Sequence, residues 1–83
     1  IDMTQVIGKD NAKTHVWYAT DVQIPEGGEV KFRANHDWAV NWGGQEFPYA
    51  TGADGGANIV VTPGGTYDIY FNDITKQYLF IAK

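Results

Sequence analysis

Apolar and polar positions alternate along this chain in short stretches, and no window carries apolar residues at helical spacing for more than one turn. Alternation of period two is the mark of strands whose two faces meet different surroundings. The clearest stretch is Tyr67-Asp68-Ile69-Tyr70-Phe71, followed across a short turn by Gln77-Tyr78-Leu79-Phe80-Ile81; together they predict a hairpin. Further strands are predicted at Met3–Ile7, His15–Ile24, Glu29–Ala34, Ala39–Trp42 and Asn58–Thr62. Within His15–Ile24 the spacing sets Val16, Tyr18, Val22 and Ile24 on one face, with Asp21 and Gln23 on the other. In the next strand Val30, Phe32 and Ala34 form an inward set, while Lys31 and Arg33 point away from it.

Turn signals separate these stretches at Gly8-Lys9-Asp10-Asn11, Pro25-Glu26-Gly27-Gly28, Asn35-His36-Asp37, Pro63-Gly64-Gly65 and Asn72-Asp73-Ile74-Thr75. Gly, Asn and Asp tolerate positive φ and Pro pre-sets the first turn position, so each cluster has a means of reversing the chain. About seven short strands with frequent turns predict an all-β, antiparallel β-sandwich. The 83 residues suffice for one domain and not for two, so residues 1–83 are expected to form a single sandwich domain. Ile1 is not a Met start, which suggests an excised domain or a processed product with any export signal or lipid anchor upstream. Residues 43–57 are expected to form one long loop, and long loops in small domains are often functional.

Composition narrows the chemistry. With no cysteine, neither a disulfide nor a thiolate metal site can supplement the core, which falls to three Trp, five Tyr and four Phe. Six basic against ten acidic residues give a formal charge of −4, and no Lys/Arg cluster offsets it, so nucleic acid is not an expected partner. No apolar run approaches the length of a membrane span. The chain has no serine, which rules out a Gly-x-Ser-x-Gly nucleophile elbow. Its two histidines, His15 and His36, lack a second ligand at metal-binding spacing. Asp37, Glu46 and Asp54 are the carboxylates a glycosidase would need, yet so small a domain has little depth in which to raise one of their pKa values by burial. A non-enzymatic domain without cofactor or metal is the expectation.

One segment stands apart. Lys31-Phe32-Arg33-Ala34-Asn35-His36-Asp37-Trp38-Ala39-Val40-Asn41-Trp42-Gly43-Gly44 places two indoles, two amides and three charged forks or amines about a strand–loop–strand. Flat rings stack on the apolar face of a sugar, and planar amide, carboxylate and guanidinium groups take paired hydroxyls. The pattern Lys-Phe-Arg-Ala-Asn-x-Asp-Trp-x-x-Asn-Trp-Gly-Gly resembles the repeated domains of the SusE and SusF starch-binding outer-membrane lipoproteins. Gly56-Ala57-Asn58-Ile59, then Gly65-Thr66-Tyr67-Asp68-Ile69 and Phe71-Asn72 before Tyr78, continue the likeness, which runs from about Trp17 to the end of the chain. It implies an immunoglobulin-like sandwich that binds α-glucan, or another polysaccharide or oligosaccharide, at the cell surface without catalysis. It further implies the C-terminal domain of a longer lipoprotein, working beside other outer-membrane glycan-uptake proteins and tethered by an anchor outside these residues.

On that resemblance Trp42 is the stacking platform, with Arg33, Asn41 and Lys31 as hydroxyl partners, Tyr49 as a second ring, and Trp38 as a further candidate. The residues themselves leave other roles open. Trp38, Val40 and Trp42 share one strand face, which fits a core as well as a site. Tyr49 in Phe47-Pro48-Tyr49 fits a small cluster that pins the loop, Arg33 fits a solvated surface position, and Asn35 fits a turn cap. Of Trp17 and Tyr18 one must face outward, with Trp17 the reserve ring. A spacer or protein-docking domain with no sugar site is the competing reading.

Overall fold

The computed structural model describes residues 2–34 and 37–83, leaving aside the side chains of 37–39. Ten strands run in the order β1 (Thr4–Ile7), β2 (Lys13–Ile24), β3 (Gly28–Val30), β4 (Phe32–Ala34), β5 (Asp37–Gly43), β6 (Tyr49–Thr51), β7 (Ala53–Asp54), β8 (Ile59–Val61), β9 (Gly65–Asn72) and β10 (Gln77–Ala82). One short 3-10 turn, Lys9–Asn11, stands between the first two. Each of the seven expected strands is present. The count rises to ten because the expected Glu29–Ala34 strand breaks at Lys31 into β3 and β4, and because β6 and β7 form inside the expected long loop.

The strands make an antiparallel sandwich. One layer is a five-stranded sheet in the order β1-β2-β9-β10-β6. The facing elements are the pair β3-β8 and the three strands β4-β5-β7. Strict alternation in β9 turns Tyr67, Ile69 and Phe71 inward, and β10 adds Tyr78 and Phe80. From the opposite side come Phe32 on β4 and the fully buried Ile59 and Val61 on β8. The layers meet most closely where the rings of Phe32 and Phe71 stack with centroids 4.3 Å apart. Phe80 adds an edge-on contact with Phe47, which carries the chain into β6. Among the described residues half of the ten buried apolar side chains are aromatic, and rings bury much area per residue, which helps close a small domain without cross-links.

Strand β2 departs from its expected pattern. Ala19 pairs with Ile69 but Val22 pairs with Tyr67, so β2 holds one more residue than β9 between these points. Such a bulge is accommodated at Asp21, which adopts φ 54° and donates its backbone N–H to Asp68 Oδ1 at 3.1 Å. Beyond the bulge Val22 and Ile24 are buried as expected. Before it the phase is reversed, and Val16 and Tyr18 lie on the opposite face, paired with Asn72 and Tyr70. The four residues do not share a face, because the extra residue inverts the alternation between them.

Two buried tyrosines also anchor loops. The Tyr67 hydroxyl donates to the Pro63 carbonyl, and the Tyr78 hydroxyl donates to the Glu46 carbonyl. Burial is the main cause and, with the nearby Glu46 carboxylate, outweighs an opposing contribution from the Glu46 backbone, holding the Tyr78 phenol above its ordinary value of 10.0. The unfolded chain therefore releases this proton at lower pH than the fold does, and stability falls as pH rises past about 10. Lys83 acts in the same direction: its bonds to Asp21 and Asp68 raise its pKa, and their contribution fades as the amine deprotonates. Urea midpoints measured from pH 7 to pH 11 should be level at first and drop above pH 10. In Tyr78→Phe the midpoint should be lower at pH 7 and the alkaline drop shallower.

Candidate functional site

The β4–β5 hairpin carries most of the residues singled out in the sequence, and it divides them. Phe32 pairs with Trp42 and Arg33 pairs with Asn41. Directly opposed residues project from the same face of an antiparallel pair, and neighbours along a strand project from opposite faces. Trp42 therefore follows Phe32 inward. Its indole is half-buried against Phe71, with centroids 5.2 Å apart, and the Lys76 ammonium lies 4.9 Å from the centre of its ring. Lys76 is held there by donating to the Asp73 carbonyl. Arg33 is exposed and Asn41 half-buried on the other face, and Lys31 is half-buried at the break between β3 and β4. A sugar stacked on Trp42 and hydrogen-bonded through Arg33 and Asn41 would have to reach both faces of one hairpin. That combined site is not formed.

The rest of β5 is also split. Val40 has the parity of Trp42 but is 50% exposed, because the β4–β5 register slips beyond the Arg33–Asn41 pair and leaves it without a β4 partner. Trp38 lies on β5, but its side chain is outside the described residues, as are Asn35 and His36.

Tyr49 lies elsewhere. It is on β6, the edge strand of the five-stranded sheet, and is 66% exposed. Its cross-strand partner is Leu79, which is opposite Tyr70, which is opposite Tyr18, which is opposite Thr4. The chain of pairings draws one straight row across all five strands of the outer face. Tyr18 and Tyr70 are half-buried with ring centroids 6.4 Å apart, and Leu79 is 39% exposed. The adjacent row holds Val16 opposite Asn72 and Gln77 opposite Thr51. Between the rows, Val16, Tyr70, Asn72, Gln77 and Leu79 border a shallow depression of about 180 Å³. That is too small to enclose a drug-sized ligand, and suits part of a molecule lying on the surface.

The amides in the second row are oriented by the β9–β10 turn. Asn72 Oδ1 accepts from the backbone N–H groups of Ile74 and Thr75, at 2.8 and 2.9 Å. Gln77 Oε1 accepts from the Thr75 hydroxyl at 3.2 Å. With their oxygens engaged by the turn, both side chains retain NH₂ donors. Neither row contains a carboxylate, imidazole or amine. Charge begins one step further along β9 and β10, where Asp68 lies opposite Ile81 and Lys83 bridges Asp21 and Asp68 at 3.3 Å each.

Trp17, the reserve ring, pairs with Phe71 and so belongs to the inward side, with its Nε1 donating to Asp73 Oδ2 at 3.0 Å. The other oxygen of that carboxylate is 2.8 Å from His15 Nδ1. Tyr18 is the outward member of the pair. Among the described residues no group of three or more His, Cys, Asp or Glu is placed to hold a metal ion. Tyr18, Tyr70 and Leu79 were not among the sequence candidates. For Tyr70 a signal existed, since alternation with the apolar Ile69 and Phe71 turns it outward; for Tyr18 the bulge concealed it. The chain matches no family model, no curated protein and no solved structure.

Proposed function

We propose that this domain is a non-catalytic carbohydrate-binding module whose binding surface is the outer face of the five-stranded sheet. The observation that supports this reading most is the row Tyr18–Tyr70–Leu79–Tyr49, with amide donors of Asn72 and Gln77 beside it. A sugar is amphipathic in the same way: its C–H face packs on a ring or an isobutyl group, and its hydroxyls accept from oriented amides. The surface is open, so each contact buries little area and binding by one module is weak. Several such modules on one surface would retain a polymer through avidity. The SusE/SusF-like pattern of the sequence supports the same function, at the cell surface among outer-membrane glycan-uptake proteins.

Affinity electrophoresis through gels containing starch, pullulan, xylan or mannan tests the proposal. At least one polymer should retard the protein, and Tyr49→Ala should weaken the retardation by about tenfold in association constant, the equivalent of one lost ring contact. Arg33→Ala, on the other layer, should leave it unchanged. Free migration in every gel would overturn the reading. It would favour the alternative of a spacer or protein-docking domain, for which the exposed aliphatics Leu79 and Ile81, at 39% and 44%, are the supporting observation.

A further inference from the structure

We infer, on the basis of the glycan-binding reading, that the ligand is a single neutral polysaccharide chain of extended, ribbon-like conformation, lying across the strands from Tyr18 to Tyr49. Direction follows from the arrangement of side chains. Along any one strand of this face the apolar run is short: Tyr70 stands between Asp68 and Asn72 on β9, Tyr49 is followed by Thr51 on β6, and β2 and β10 offer two apolar positions each, Val16 with Tyr18 and Leu79 with Ile81. Only the crossing direction supplies more than two apolar contacts in succession, from Tyr18 through Tyr70 and Leu79 to Tyr49. Strands lie about 4.8 Å apart, so the path from β2 to β6 covers three steps, or roughly 14 Å. A chain on that path passes the amides of Asn72 and Gln77 on one flank as it crosses β9 and β10.

Conformation follows from the straightness of the row. Each contact is the direct cross-strand partner of the next, so the contacts follow one another from strand to strand without a sideways step. A ribbon-like chain with equatorial linkages meets such a row at successive units. A coiled α-glucan bends away from it after the first contacts. The sheet also twists by about 20–25° per strand, which a lone chain in solution can follow and a flat crystalline surface cannot.

Charge follows from the neighbouring side chains. The two rows are uncharged, and the next holds Asp21 and Asp68 against the single Lys83. Over the chain the balance is −4. A polyuronate would meet an acidic surround with no cation committed to it, whereas a neutral chain incurs no such penalty.

The test sets wild-type protein against five probes: mixed-linkage β-glucan, xylan and glucomannan as neutral extended chains, starch as a coiled chain, and polygalacturonate as an anionic one. Sedimentation with crystalline cellulose forms a sixth arm. Retardation by at least one neutral extended chain, with starch, polygalacturonate and cellulose inactive, is the expected result. Tyr70→Ala and Tyr49→Ala should each lower that association constant by about tenfold, while Val60→Thr on the other layer should not alter it. Thermal melts of the variants establish that they fold. Binding to starch, polygalacturonate or crystalline cellulose as tight as to the extended chains would overturn the inference and leave the glycan-binding function standing. Binding to none of the six would overturn both and leave the face to a protein partner. Retention of full affinity in folded Tyr70→Ala and Tyr49→Ala would overturn the assignment to this row.

Discussion

Phe32→Ala should cost about 3–5 kcal/mol of stability, the range for removing a buried phenylalanine from a packed core. Phe32 is 6% exposed and is the point where the two layers lock, stacked on Phe71 and within ring contact of Tyr78 and Phe80. A domain of this length holds total stability on the order of 4–12 kcal/mol, so the substitution removes a large share of it. The melting temperature should fall by at least about 12 °C, since 1 kcal/mol shifts it by roughly 4–8 °C at this size. Urea denaturation followed by fluorescence gives the free energy directly. A loss below about 1 kcal/mol would mean that the layers are not joined at this ring.

Gly43→Ala should be nearly as damaging for a different reason. Gly43 closes β5 against Ala53 of β7, and Gly44 donates its N–H to the Ala57 carbonyl at 2.8 Å. A Cβ on Gly43 would stand 2.0 Å from the Ala57 carbonyl oxygen and 2.8 Å from that of Gly56. These are backbone atoms that cannot rotate aside, so the returning loop must move as a body. We expect a loss of at least about 2–3 kcal/mol, at the upper end for overpacking. Gly55→Ala provides the contrast. Its Cβ would meet nothing within 4 Å, but φ is +62°, so only the left-handed backbone penalty of about 1–2 kcal/mol applies. Equal losses at the two glycines in urea titrations would show that the loop does not approach Gly43 so closely.

Residues 31–44 stood out in the sequence because residue types are visible there and strand faces are not. Pairing decides faces, and pairing Phe32 with Trp42 sends the indole inward and Arg33 outward. The hairpin β9–β10 could be read directly, since its strands pair without a break in register, and Phe32 points inward as its alternation indicates although its strand is interrupted at Lys31. The break at Lys31 and the short strands β6 and β7 could not, because two or three residues carry too little alternation to register. Tyr49 was legible as a candidate ring. Its exposure was not, since that depends on β6 pairing with β10, about thirty positions away in sequence.

The added residue at Asp21 lets β2 serve both sides of the sheet, with its first half lending Tyr18 to the solvent and its second half lending Val22 and Ile24 to the interior. The halves stand in antiphase, like two combs offset by one tooth. Losing a single residue there would bring them into step, and one half would then present the wrong side chains. Chain length between Ala19 and Val22 is thus as tightly constrained as the identity of any ring, although the two residues in between, Thr20 and Asp21, are both exposed.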